Sequence, residues 1–160
     1  VRDGTFRPRG VSNGRSASKE HRIVTEFSWP LRVYYEDTDC GGVVYYANYL
    51  KFMERARTEW LRAFGFEQDV LLREHGILFA VRSAHVEYLR PARFNDALEV
   101  SVRAVEQGRA SLTVDQEVRR AAAAGEVLCT GRIRLACLAA DSMRPSPIPE
   151  VVWREIALGR

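Results

Sequence analysis

Cysteine and histidine are scarce in this chain, and long hydrophobic runs are absent. Each shortage narrows what the protein can do. The three cysteines, Cys40, Cys129 and Cys137, are odd in number and have no metal-ligand spacing. That pattern is neither a disulfide framework nor a zinc site. It fits a reducing compartment, where cysteine acts as a small apolar residue. The three histidines are His21, His75 and His85. None has an evident link to Cys40, so a Cys–His nucleophile is disfavoured. No GxSxG elbow and no phosphate-binding P-loop occur. No stretch reaches the roughly 18 apolar residues of a membrane span. Residues 1–30 hold no uninterrupted apolar run of signal-peptide length. The expected location is cytoplasmic.

The remaining composition is ordinary. A chain of 160 residues, 46% apolar and 28% charged, reads as one domain with a real core. The net charge of +3 is unevenly spread. Residues 1–22 carry six Lys or Arg against Asp3 and Glu20, a surplus of +4 that leaves the body at −1. A near-neutral body lacks the basic face that phosphate neutralisation requires, which argues against nucleic acid as a partner. Residues 1–26 are rich in Gly, Ser, Arg and Asn without apolar periodicity. They are expected to form a disordered extension.

Regular patterns begin at Phe27. Phe27, Trp29, Leu31, Val33 and Tyr35 alternate with polar neighbours, predicting a strand over 27–35 with Pro30 marking an edge. An acidic turn with Asp37, Asp39, Gly41 and Gly42 follows. From Ala47 and Asn48 the period becomes helical. Leu50, Met53, Ala56, Trp60, Leu61 and Phe64 share one wide apolar face, Arg55 and Glu59 are spaced to pair, and Gly65 marks the stop. A shorter helix is predicted over 68–74. Four strands then follow at 78–89, 97–106, 110–119 and 126–138, with turns at Gln107–Gly108 and 121–125. A tail over 141–160 carries a short helical pattern. Consecutive strands with tight turns pair antiparallel. The class is α+β, one long helix against a five-stranded antiparallel sheet, with the domain expected over 27–140.

The chemistry concentrates where the turn meets the long helix. Asp39 stands beside two glycines, which let a substrate approach the backbone closely. The helix start offers uncommitted N–H groups and the positive end of a dipole to an oxygen gaining negative charge. A carboxylate facing such a site can serve as general base or as nucleophile. The same residues also make an ordinary Asx-type turn and cap. Glu54, on the buried helix, needs a partner, and Arg57 and Thr58 are in reach. Arg82, Arg90, Arg93 and Arg109 flank strands and are candidate phosphate ligands or plain solvated charges.

The stretch VYYEDTDCGGVVYYANYLKFMERARTEWL, preceded by FSWPLR, closely resembles the hot-dog-fold acyl-CoA thioesterases of the 4-hydroxybenzoyl-CoA thioesterase family, most of all the branch associated with the bacterial Tol–Pal system. The resemblance implies a curved antiparallel sheet wrapped around the long helix. It also implies homodimers or homotetramers that join sheets edge to edge, with active sites at the interface. The implied reaction is hydrolysis of an acyl-CoA thioester to coenzyme A and a carboxylic acid, with coenzyme A present only as part of the substrate and no separate cofactor or metal. Asp39 matches the catalytic carboxylate. The backbone N–H that polarises the thioester carbonyl falls at Tyr46, where the closest branch often carries His. Gly41, Gly42 and Val43 are then expected against the substrate, Tyr35 at the acyl pocket, and Arg109 near the coenzyme A phosphates. The bulky residues Tyr45, Phe52 and Trp60 point to a short or aromatic acyl group. The alternative is a non-catalytic scaffold that binds acyl-CoA or acyl carrier protein and is linked to envelope assembly. A dehydratase is ranked last, because the acidic turn holds no histidine.

Overall fold

The computed structural model describes residues 27–121 and 125–158. Residues 1–26 lie outside them, as does the expectation of a disordered extension. Five strands, β1 (Phe27–Arg32), β2 (Ile77–Tyr88), β3 (Ala97–Gly108), β4 (Ser111–Arg120) and β5 (Val127–Ala139), form one antiparallel sheet in the order β1-β3-β4-β5-β2. Helix α1 (Asn48–Ala63) crosses its inner face. Helix α2 (Gln68–His75) leads into β2, and α3 (Glu150–Leu158) closes the described chain. This is the hot-dog architecture.

The core forms where the helical stripe meets the alternating strands. Phe52, Met53 and Ala56 of α1 are fully buried against Val100, Val114, Val118 and Ile133. Tyr49 and Phe52 extend the stripe beyond the expected set, whereas Leu50 is 40% exposed. The helix comes this close because β5 carries Gly131 beneath it. A Cβ there would sit 2.7 Å from the Met53 sulfur, well inside contact distance. Opposite Gly131 in the register stands Gln116. Its buried amide donates from Nε2 to the Met53 carbonyl at 3.1 Å and accepts at Oε1 from Arg57 Nη1 at 2.8 Å. A satisfied amide of this kind fixes the helix on the sheet more specifically than apolar contact alone. Ile148, Val152 and Ile156, from α3 and its approach, join the same core.

Three local expectations are corrected. β1 ends at Arg32, and Tyr35–Asp37 is a 3₁₀ turn. The Asp37 carboxylate accepts the Tyr34 N–H at 2.8 Å, a local bond that competes with the ladder. Gln107 and Gly108 belong to the β3–β4 ladder, so the turn itself is Arg109 and Ala110. Glu59 pairs with Arg62 at 2.5 Å rather than with Arg55, because Arg62 also reaches Glu67 at 2.7 Å and closes the α1–α2 connection.

Candidate active site

Residues 38–44 form a tight loop. Thr38 bridges Val44, the Asp39 N–H donates to the Val43 carbonyl at 3.0 Å, and the Gly42 N–H donates to the Asp39 carbonyl at 3.0 Å. Gly42 has φ of 72°, a conformation that costs a side-chain-bearing residue energy. Asp39 Oδ1 accepts the Gly41 N–H at 2.8 Å. The Asx turn is therefore present, and it orients the carboxylate without burying it. Asp39, Cys40, Gly41 and Gly42 are exposed, and Val43 is half-buried.

The buried carboxylate of the turn is Asp37, at 4% exposure. Its carbonyl accepts the Tyr45 N–H and Asn48 Nδ2, both at 2.9 Å. Asn48 opens α1, so these bonds tie the acidic turn to the helix start. Residue types alone did not separate Asp37 from Asp39. The available signal was Asn48 at the head of the helix pattern, an unusual residue to bury without a backbone partner.

Tyr46 lies two residues before α1 begins. Among the described residues no protein acceptor takes its N–H. Its carbonyl accepts the Tyr88 hydroxyl at 3.0 Å. Val44, Tyr46, Tyr49, Tyr88 and Leu89 line an open recess of about 240 Å³ beside it. The Tyr45 phenol is held above its ordinary pKa, first by its hydrogen bond with Tyr46 and also by the charge of Asp39, which places that carboxylate within electrostatic reach of the tyrosine pair. Burial raises the Tyr49 phenol, partly offset by the Ala92 N–H that its oxygen accepts at 2.9 Å.

A second segment supports the loop, and the sequence pattern marked in it only Arg90 and Arg93, as charges flanking strands. Ala92 accepts the Val44 N–H at 2.9 Å, Val43 bridges Arg93, and Asn95 and Asp96 exchange backbone bonds of 3.0 Å with Val33. Phe94 stacks on Tyr35 with ring centroids 4.0 Å apart. Arg120 anchors the segment from β4, pairing with Asp96 and with Glu126 and donating to the Pro91 carbonyl at 3.2 Å. Arg90 pairs with Glu126 at 3.3 Å.

Tyr35, Asp39, Gly41, Gly42, Val43 and Tyr46 thus share one end of the sheet. Arg109 does not. Ala97, at the start of β3, adjoins the loop, and Arg109 follows the strand's far end, so the length of β3 separates it from Asp39 in the same chain. The Arg109 carbonyl accepts the Ile148 N–H at 3.0 Å. His85, on β2, stands 3.6 Å from Glu87. Among the described residues no group of His, Cys, Asp and Glu is placed to hold a metal ion.

The exposed Asp39 carboxylate, the neighbouring glycines and the Tyr46 N–H stand together at one end of a hot-dog sheet. Residues 33–156 match the model of the thioesterase-like superfamily, and the chain belongs to that family of thioester hydrolases. It is 41% identical over 131 residues to the acyl-CoA thioester hydrolase YbgC of Escherichia coli O6:H1, covering 82% of this chain and 96% of that protein. A probable thioesterase from Bartonella henselae is similar in structure, with TM-score 0.73 and 31% identity over 78% of this chain and 99% of that one. The 1,4-dihydroxy-2-naphthoyl-CoA thioesterase of Synechocystis shares the fold, with TM-score 0.76 and 22% identity over 82% and 96% of the two chains.

Proposed function

We propose that this protein hydrolyses short-chain or aromatic acyl-CoA thioesters, with Asp39 as general base or nucleophile and the Tyr46 N–H polarising the thioester carbonyl. The observation that carries this is the exposed Asp39 carboxylate in a loop that leads directly into an unpartnered N–H at the α1 start. Oδ1 is engaged by Gly41, which leaves Oδ2 for substrate or water. As base, Asp39 takes a proton from water as the oxygen attacks the carbonyl carbon. As nucleophile, it forms a mixed anhydride that water then opens. In both routes the carbonyl oxygen gains charge beside the Tyr46 N–H, and the C–S bond breaks to release coenzyme A.

The similarity to YbgC supports acyl-CoA as substrate, and a place in the Tol–Pal-associated branch rests on the resemblance of residues 33–61 alone. The aromatic recess beside Tyr46 supports a short or aromatic acyl group. β2 is an edge strand whose residues 81–85 are exposed, which supports pairing with a second copy in a homodimer or homotetramer. Arg109 would then serve coenzyme A phosphates bound at a neighbouring copy's loop. Acyl carrier protein is an alternative carrier of the acyl group, and the proposed compartment is the cytoplasm.

Release of free thiol from an acyl-CoA panel tests the reading. Asp39→Asn keeps an acceptor for Gly41, so the loop survives and turnover falls by about 10²–10⁴ while substrate binding remains. Near-full hydrolysis by that variant would sink the assignment. Binding without turnover by the wild type would favour the scaffold.

A further inference from the structure

The backbone around Tyr46 is a turn that precedes α1. The Asn48 N–H closes it on the Tyr45 carbonyl at 2.8 Å, and the Tyr45 N–H ties it to the Asp37 carbonyl at 2.9 Å. Among the described residues the middle peptide of the turn, between Tyr46 and Ala47, has no backbone partner. A side chain supplies one: the Tyr88 hydroxyl donates to the Tyr46 carbonyl at 3.0 Å. Tyr88 is itself held firmly. It is the last residue of β2 and pairs with Cys129 of β5. The next two N–H groups, of Leu89 and Arg90, both donate to the Leu128 carbonyl, at 2.9 and 3.0 Å. The Tyr88 ring stands edge-on to Tyr46 and to Tyr49, with centroids 6.2 and 5.6 Å apart. Tyr49 is buried, and its hydroxyl is occupied by the Ala92 N–H. Burial, with Cys129 and Tyr46 adding to it, holds the Tyr88 phenol above its ordinary pKa, so the hydroxyl keeps its proton near neutrality.

We infer that Tyr88 is a positioning residue for thioester hydrolysis: its hydroxyl fixes the Tyr46 peptide so that the Tyr46 N–H meets the carbonyl oxygen of the substrate. The inference rests on the role proposed above for that N–H and adds the group that holds it in place. An oxyanion donor is effective when it already points at the oxygen as charge develops, because turning it during the reaction costs what the bond returns. The middle peptide of a turn has no ladder to hold it and is the part freest to tilt, which turns the residue before it as well. The bond from Tyr88 removes that freedom by tying the turn to the end of a strand. All of these contacts lie within one chain and on the side of β2 that meets α1, so they do not depend on a second copy at the β2 edge.

Tyr88→Phe tests this, because it removes the hydroxyl and keeps the ring. Amide NMR spectra and acyl-CoA turnover are measured for the wild type, Tyr88→Phe and Asp39→Asn. In Tyr88→Phe the Tyr46 and Ala47 amide peaks are expected to move while those of Asp39 and Gly41 stay. Its kcat is expected to fall about tenfold, with KM changed by less than about twofold. A purely structural role would lower the melting temperature and the folded fraction but leave kcat per folded molecule unchanged. Unmoved Tyr46 and Ala47 peaks, or a loss confined to KM, overturns the inference. So does an unchanged kcat in Tyr88→Phe when Asp39→Asn is inactive, and the hydrolytic reading then stands without it. Asp39→Asn with full activity sinks the hydrolytic reading, whereas the amide peaks and the kcat of Tyr88→Phe answer for Tyr88 alone.

Discussion

Asn48 Nδ2 donates to the carbonyl of Asp37 at 2.9 Å, joining the acidic turn to the first residue of α1. Both residues are buried. The loop bearing Asp39 is therefore held from below, by a side-chain amide of the helix it leads into. Asn48→Ala leaves a buried carbonyl with one partner fewer, and stability falls by about 1–2 kcal/mol in denaturant unfolding. If Asp39 and the Tyr46 N–H act together as proposed, loosening this tie between turn and helix should lower thiol release further than the folded fraction explains. Unchanged kcat in the folded Asn48→Ala protein would refute that coupling.

Tyr46 offers a backbone donor and a separate phenol. Tyr46→Phe removes the phenol and keeps the N–H. If the N–H polarises the carbonyl, kcat changes by less than about tenfold, far below the 10²–10³ expected for loss of an oxyanion donor. A loss of that larger size on acyl-CoA turnover would move the role to the side chain.

Gly131 is required by Met53. Gly131→Ala places a Cβ against the Met53 sulfur and should cost about 1–3 kcal/mol through overpacking. Truncating the other side relieves the clash, so Gly131→Ala combined with Met53→Ala should be less destabilised than the sum of the two single changes. Additive effects in thermal unfolding would show that the two sites do not meet.

Arg132 holds the Asp115 carboxylate below its ordinary pKa, with Arg103 adding to the effect. A depressed folded-state value means the pair stabilises the protein above the ordinary Asp range and loses that contribution as pH falls through the folded value. The pair is partly exposed, so its worth is about 1 kcal/mol or less. Asp115→Asn should unfold more easily than wild type at pH 7, and the difference should vanish in strong acid. A gap that stays constant across that range would contradict the ion-pair origin.

Burial pushes the Cys129 thiol up to about 12, whereas Cys40 is exposed. One equivalent of iodoacetamide at pH 8 should therefore modify Cys40 in the folded protein and spare Cys129. Peptide mapping checks this directly, and rapid labelling of Cys129 under native conditions would show that the core opens at that strand.

The sequence by itself determined the elements, because their causes are local. A 3-and-4 stripe from Met53 to Leu61 makes α1, and period-2 runs after Gly76 make the strands, whatever lies elsewhere in the chain. It also marked the loop, since Asp and Gly before a helix start carry their chemistry in a few adjacent residues. Only the tertiary structure decided which group plays which part. Asp37 and Asp39 are identical side chains two residues apart. One is buried because Asn48 and Tyr45 return to its carbonyl, and the other stays in solvent because the Gly42 turn carries it outward. The supporting role of the 90–96 segment was not legible from Arg90 and Arg93, because it holds the loop largely through backbone groups, which every residue possesses. The place of Arg109 was likewise decided by folding, because the length and register of β3 set it at the opposite end of the sheet from Asp39 of the same chain.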